Sequence, residues 1–301
     1  MRKIALAMLF LNPVLWASFY AVSKDALDAV DPLGFSTLEL TIAALPAMAL
    51  LIMRRKAVTR REVVSGLRLG VSLYLAVIGS TIAVYFTTAT NTAFFPALNG
   101  AFAAAIATLF LGQKLGKGIW ISALLATVGA IVLISQSAAS GGDIRGDTIA
   151  LAAALAYTIY IFVVDYNARS GGDSLDLWSV CALEVMTMAG LGWVVTLATG
   201  GPDITAWSNP ETLLAGVYIG LFTTVAPTII ALFFQRHVNP VTVAMIYVLE
   251  PIWGAIAAAL VNGEQLTAIG YGGGVLIVLG SFIGAAQPEA EDQLEPVAAG
   301  E

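Results

Sequence analysis

Apolar side chains occupy long runs of the chain, and short polar stretches separate these runs. Each run is long enough to cross the ~30 Å hydrocarbon core of a bilayer as a helix. Hydrophobic residues make up 58% of the chain and charged residues 11%, which is more apolar surface than a soluble core of this length buries. The expected fold class is therefore an all-α membrane protein. The runs predict ten transmembrane helices, at residues 4–24, 34–53, 66–86, 90–112, 118–136, 147–166, 176–199, 211–235, 240–261 and 266–286.

Lysine and arginine are unevenly distributed among the predicted loops. Cytoplasmic loops of membrane proteins hold an excess of both residues. Twelve of the fourteen in this chain precede the first predicted helix or fall in and around the second, fourth, sixth and eighth loops, and only Lys24 and Arg145 fall elsewhere. This asymmetry predicts that both termini lie in the cytoplasm, as an even number of crossings requires.

Two stretches of the chain are similar at a constant spacing of 151 residues. The segment "LNGAFAAAIATLFLGQKL" (98–115) aligns with "LEPIWGAIAAALVNGEQL" (249–266), and the register continues without a gap to Gly129 over Gly280. Both segments end in a glycine followed by Gln or Glu. The similarity indicates an internal repeat, with the fourth and ninth predicted helices as equivalents.

The repeat predicts how the chain is divided. We expect a first five-helix repeat at 1–136, a linking loop at 137–146, a second five-helix repeat at 147–286 and an acidic, disordered tail at 287–301. Because each repeat has an odd number of crossings, the two must be inverted relative to one another, as in many secondary transporters.

These segments resemble the EamA-type permeases of the drug/metabolite transporter superfamily. The resemblance is carried by "YFTTATNTAFFPAL", "FLGQKLGKGIW" and "YVLEPIWGAIAAALVNGEQL", and within the family the chain is most similar to the YddG-type exporters of aromatic amino acids. It implies a bacterial inner-membrane exporter of amino acids or similar metabolites, with a cavity between the halves and helices 5 and 10 outside the core. The chain departs from the family pattern at Glu39, where an Arg is frequent nearby, and at Gln113, where Glu is common.

The ninth predicted helix carries Glu250 and Pro251 in the middle of an apolar run. An ionised side chain at the bilayer centre costs about 2.5–3.5 kcal/mol, so the carboxyl should face protein or water. Residues three positions away share its helix face. That face carries Tyr247 and Trp253, and the equivalent face of the fourth helix carries Phe95, Asn99 and Phe102.

Other predicted helices place polar and aromatic residues at a similar depth. Together with the two faces above, we expect them to line a substrate cavity between the halves. They are Asn12, Trp16 and Tyr20 on the first helix, Tyr74 on the third, and Tyr157 and Tyr160 on the sixth.

Three acidic residues are candidates for coupling transport to an ion. Glu250 could bind the substrate amine, bind a coupling proton, or, as a protonated carboxyl, cap the backbone group freed by Pro251. Glu39 and Glu184 lie near the starts of the second and seventh predicted helices, so we expect them to be solvated.

Missing residue types narrow the function. No Lys or Arg lies near a predicted helix midpoint, which argues against phosphate-bearing substrates. An intramembrane enzyme would need a nucleophile paired with a base at membrane depth. The sequence shows no such pair, so we do not expect an enzyme. A buried acid among aromatic residues suits an amine-bearing amphiphile, either a neutral amino acid or, alternatively, a hydrophobic cationic drug. We expect a small-molecule substrate and the lipid bilayer as partners, no nucleic acid, no metal and no cofactor; the oligomeric state is left open, with a monomer allowed.

Overall fold

The computed structural model describes residues 2–54, 57–136, 142–171, 175–265 and 267–285. Within these ranges the chain is helical and has no β-strand. The predicted tail at 287–301 and residues 137–141 of the predicted linking loop lie outside the described residues.

Each predicted apolar run coincides with a helix. Among the described residues, eight helices are long and apolar enough to cross a membrane, whereas two further apolar segments are shorter, at Lys117–Leu133 and Ala268–Gly280. A short helix, Ile204–Trp207, stands apart from the ten long ones. The helices are α1 Arg2–Ala26, α2 Pro32–Arg54, α3 Arg60–Phe86, α4 Ala89–Leu109, α5 Lys117–Ser135, α6 Ile144–Gly171, α7 Leu177–Ala198, α8 Pro210–His237, α9 Pro240–Val261 and α10 Ala268–Ala285.

Helix α6 starts inside the segment predicted as a linking loop. Its first residue is Ile144, three residues before the predicted start. The Asp143 carboxylate accepts a hydrogen bond from the backbone N–H of Arg145 at 2.7 Å, and side-chain oxygens at this position satisfy the first free N–H groups of a helix. The cap extends the helix beyond its apolar run.

Helices α4 and α9 are interrupted at equivalent positions. In α4 a 3₁₀ turn, Phe95–Leu98, precedes an α-helical segment that starts at Asn99. In α9 the first segment ends at Tyr247 and the second starts at Glu250. Pro251 therefore lies in a first turn, where a proline breaks no helical hydrogen bond. The interruption precedes the proline, and Asn99 and Glu250 occupy matching places.

The two helices also end alike. Gly112 and Gly263 have positive φ angles of 65° and 67°, which favour glycine. In each case the N–H of the following residue donates a hydrogen bond to the carbonyl six residues earlier and so ends the helix. These bonds run from Gln113 to Ala107 at 2.9 Å and from Glu264 to Ala258 at 3.3 Å. All three pairs of positions are 151 residues apart, so the local backbone follows the repeat.

Glycine pairs hold α3 against α7 and α8 against α2. A β-carbon at Gly70 would lie 2.6 Å from the Glu184 carbonyl oxygen, and one at Gly220 would lie 2.6 Å from the Glu39 carbonyl oxygen. Small residues four apart allow helices to approach this closely. The pairs are Gly66 with Gly70 and Gly216 with Gly220, at a spacing of 150 residues.

Helix α8, like α4 and α9, departs from regular α-helical geometry. Its residues Ile219–Val225 form a π-helical segment between two α-helical ones. A π turn contains one residue more than an α turn, and such turns are frequent at functional sites. This segment contacts α1 and α2.

The main contacts between helices have counterparts in which α1–α5 are replaced by α6–α10 in order, and α6–α10 by α1–α5. The α3–α7 contact becomes α8–α2, the α1–α9 contact becomes α6–α4, and the α1–α8 contact becomes α6–α3. Helices α5 and α10 pack against each other. A two-copy arrangement produces such a pattern.

We expect Gly70→Ala to destabilise the protein by about 1–3 kcal/mol, because its β-carbon would overlap the α7 backbone. Gly190→Ala on α7 is the matched control, since no atom lies within 4 Å of an added β-carbon there. Thermal unfolding in detergent can be followed by the reaction of a thiol dye with buried Cys181, the single cysteine of the chain. A Gly70→Ala protein that unfolds no earlier than the control contradicts the expectation.

Candidate functional site

The centre of the site is the carboxyl group of Glu250, at the start of the second segment of α9. Glu250 is 2% exposed, and its Oε1 accepts a hydrogen bond of 2.5 Å from the Tyr20 hydroxyl on α1. Gly254, one turn later, lies against Ala93 of α4 and near the Tyr20 ring. The carboxyl therefore points into the protein, and among the described residues its hydrogen-bond partner is a side chain rather than the backbone near Pro251.

A layer of aromatic rings adjoins this carboxyl. The Tyr157 ring on α6 stacks on those of Tyr160 and Tyr247, with centroids 5.8 and 5.9 Å away. Trp16 packs against Tyr157 with a centroid distance of 5.4 Å. All four side chains are buried, so the layer joins α1, α6 and α9 in one apolar contact.

Asn12 connects this layer to α8. Its amide nitrogen donates hydrogen bonds to the Tyr247 hydroxyl at 2.7 Å and to the Pro227 carbonyl at 3.5 Å. Pro227 is the second residue after the π-helical segment. Tyr74, on α3, is buried in the same apolar cluster as the aromatic layer. Six of the twelve predicted lining residues therefore come together beside Glu250, and Tyr74 lies in the same apolar cluster.

Glu184 is fully buried, so the expectation that it is solvated is wrong. Neither carboxyl oxygen has a hydrogen-bond partner among the described residues. The Tyr160 hydroxyl lies close enough for electrostatic interaction with it but outside hydrogen-bond geometry. Gly66 and Gly70 of α3 pack on the backbone of this turn of α7.

Glu39 is also fully buried, which contradicts the same expectation. Both of its carboxyl oxygens lack a hydrogen-bond partner among the described residues. It lies on α2 where Gly220 of α8 packs, at the π-helical segment. The Gly70 and Gly220 contacts are thus equivalent, and each covers a turn that bears an acid.

The predicted residues of α4 lie apart from the tyrosine layer. Phe95 and Phe102 belong to a separate apolar cluster with residues of α3, α5 and α6. Asn99 is buried, and its Oδ1 accepts a hydrogen bond from the Thr158 hydroxyl at 3.2 Å. In the first half a neutral pair therefore replaces the Glu250–Tyr20 pair.

Trp253 does not join the site. It is 43% exposed, because the buried stripe of the second α9 segment runs through Glu250, Gly254 and Ala258. Its side chain falls beside this stripe and outside the bundle.

A buried polar group at one end of the bundle escaped sequence reasoning. The Asp147 carboxylate accepts hydrogen bonds from the Thr87 hydroxyl at 2.9 Å and from the Asn91 amide at 3.4 Å. Lys24 donates to the backbone carbonyls of Val84 at 3.0 Å and of Thr87 at 2.8 Å, at the end of α3. A cation is favourable there because helix C-termini carry partial negative charge. The isolated position of Lys24 among loop charges was the signal available.

A sequence model of the EamA-like transporter family matches this chain twice, at residues 3–135 and 144–284. The chain belongs to this family. It is therefore a multi-pass membrane protein of a transporter family, and the EamA match repeats once in each half.

Relatives agree with this assignment. Over 276 residues the chain is 26% identical to an uncharacterized transporter of Archaeoglobus fulgidus, covering 91% of this chain and 83% of the relative. Over 222 residues it is 23% identical to an uncharacterized transporter of Clostridium kluyveri, covering 72% and 70%. A protein of known crystal structure shares the fold, with a TM-score of 0.68 and 17% sequence identity. The match covers 94% of this EamA chain and 96% of the other chain.

We expect Tyr20→Phe to destabilise the protein by about 1–3 kcal/mol, because it leaves the buried Glu250 carboxyl without its hydroxyl donor. Tyr74→Phe is the control, since it also removes one hydroxyl but leaves Glu250 paired. The fraction folded can be measured by circular dichroism across a dodecyl-sulfate titration. Equal stability of the two variants would show that the Tyr20 contact contributes nothing.

Proposed function

We propose that this EamA protein exports amino acids, aromatic and other neutral ones or similar amine-bearing metabolites, across the bacterial inner membrane by alternating access. The observation that carries the proposal is the buried Glu250 carboxyl, paired with Tyr20 beside a layer of aromatic rings. A carboxyl in this setting offers a partner to an ammonium group, and aromatic faces attract cations.

The rest of the cluster suits the remainder of an amino acid. The rings of Trp16, Tyr157 and Tyr160 form an apolar wall for a side chain. The Asn12 amide N–H groups, which donate to Tyr247 and Pro227 in this conformation, would turn to a substrate carboxylate when the site opens. The cluster contains no Lys or Arg, so a phosphate group would lack a cation to neutralise it.

The proposed topology has ten membrane crossings in two inverted five-helix halves, with both termini in the cytoplasm. Three observations support it: the double match to the family, the equivalent interruptions and ends of α4 and α9, and the symmetric helix contacts. Inverted repeats of this kind place the substrate site between the halves.

Opening of the site requires movement, because its side chains are buried. Helices bend most easily where their hydrogen-bond ladder is interrupted. The ladder is interrupted in α4 before Asn99, in α9 before Glu250 and in the π-helical segment of α8. We propose these as bending points of the α1–α4 and α6–α9 bundle.

Glu39 and Glu184 are the proposed positions for coupling, together with Glu250. A buried carboxyl without a partner changes its charge only when movement admits water or a counter-ion, since an unpaired buried charge is costly. Transport would then be linked to the charge of these groups.

Export of hydrophobic cationic drugs is the second candidate function. The same acid and aromatic rings would hold a lipophilic cation. An amino acid carries a carboxylate, to which Asn12 would hydrogen-bond, whereas a lipophilic cation has no such group.

We expect Glu250→Gln to reduce transport of radiolabelled aromatic and aliphatic amino acids by at least about tenfold in proteoliposomes, because a neutral amide loses the charge that meets the ammonium. Glu211→Gln, at the exposed start of α8, is the control. Each protein is measured with and without a pH gradient.

Loss of only the pH-gradient response would assign Glu250 to coupling. Equal transport by the two variants would make it structural. If wild type moves lipophilic cations and no amino acid, the drug-export function replaces the first proposal.

A further inference from the structure

Glu264, in the loop after α9, ties that loop to the start of α4. Its Oε1 accepts a hydrogen bond from the backbone N–H of Ala89 at 3.0 Å. Its Oε2 accepts from the backbone N–H of Thr90 at 2.8 Å and from the Thr90 hydroxyl at 2.5 Å. The first N–H groups of a helix have no partner within it, so the carboxylate replaces partners that water would supply.

A second contact lies at the same end of the bundle. The Asn262 amide donates hydrogen bonds to the Asp25 carboxylate at 2.6 Å and to the Ala21 carbonyl at 3.1 Å, which joins the end of α9 to α1. At this end, both α1 and α4 of the first half are therefore linked to the last turn of α9.

The opposite end lacks the equivalent of the Glu264 contact. The equivalent of Glu264 is Gln113, whose Oε1 has no hydrogen-bond partner among the described residues. The equivalents of Ala89 and Thr90 are Pro240, which has no N–H, and Val241, whose N–H donates to the Asn239 side chain at 2.9 Å. Neither position therefore offers Gln113 an available N–H donor.

A groove opens where this contact is missing. It has an empty volume of about 1950 Å³, part of it continuous with the surroundings, and both Gln113 and Pro240 line it. Most of its other lining residues are apolar side chains of α3, α4 and α6. Leu67, Leu75 and Ile159 in its lining are 48%, 55% and 46% exposed, so the groove opens on the side of the bundle between α3 and α6. The Glu264 contacts therefore close one end of the bundle, and among the described residues the Gln113 end has no equivalent of them.

We infer that Glu264 is a latch, which holds the closed end of the bundle shut and must release α4 before that end can open. The inference rests on the proposed alternating access, in which the Glu264 end is the external one. A carboxylate makes stronger hydrogen bonds to N–H groups than a neutral amide does. The difference between Glu264 and Gln113 therefore biases the protein toward the conformation that is open at the cytoplasmic end.

Hydrogen exchange tests the latch without any substrate. In Glu264→Gln, exchange of the Ala89 and Thr90 amides should accelerate on the order of tenfold, because a charge-assisted acceptor is replaced by a neutral one. The control is Glu211→Gln, which should leave these amides unchanged. The measurement uses full-length protein in nanodiscs and mass spectrometry of peptides spanning 87–94. Unchanged exchange in Glu264→Gln would overturn the inference.

Cross-linking tests whether release is needed for transport. Thr90→Cys and Glu264→Cys are combined in a Cys181→Ala background and joined by a short bifunctional methanethiosulfonate, since the length of the glutamate leaves the two positions too far apart for a direct disulfide. The cross-linked protein should not transport amino acids, and reductant should restore transport. Each single cysteine variant should be insensitive to the reagent.

The two experiments separate the latch from the proposed function. Undiminished transport by fully cross-linked protein would show that the contact is a static cap and would overturn the latch. If the wild-type protein moves no amino acid, the substrate assignment fails, and the exchange measurement still decides whether Glu264 holds α4.

Discussion

A carboxyl group buried in a membrane bundle constrains everything around it. Glu250 requires a donor at short range, and Tyr20 of α1 provides it, while Gly254 lets α4 pack closely against the next turn of α9. It also stands at a helix start, where free N–H groups and the helix dipole favour negative charge. The interruption of α9 and the close packing of α1 thus serve one requirement: a charged group must be tolerable inside the bundle.

The two halves share a backbone plan but differ in charge. Asn99 and Glu250 start equivalent segments, yet Asn99 pairs with the neutral Thr158 hydroxyl. At the helix ends the difference recurs, with Gln113 in one half and Glu264 in the other. In the proposed alternating access, equivalent geometry would let the halves exchange roles, whereas unequal charge would make the two directions of movement energetically different.

Much of this arrangement could be read from the sequence, because apolar runs and a constant spacing are properties of the chain alone. The helices and the glycines that end α4 and α9 follow from them, whereas the interruptions before Asn99 and Glu250 emerge only from the structure. Burial of Glu39 and Glu184 could not be predicted, since it depends on the close packing of other helices on the turns that carry them. Trp253 was misplaced because its face was judged relative to Glu250 alone, without the contacts that fix the orientation of the second α9 segment.

The π-helical segment of α8 marks a difference of one residue between the two halves of the chain. Gly70 and Gly220 are equivalent at a spacing of 150 residues, but α3 and α8 end at Phe86 and His237, 151 residues apart. One extra residue therefore lies within α8 after Gly220, and a π turn is how a helix absorbs one residue without losing its ends. In the proposed two-copy arrangement the copies therefore differ by one residue at this point, and the Pro227 carbonyl just beyond the segment accepts a hydrogen bond from Asn12.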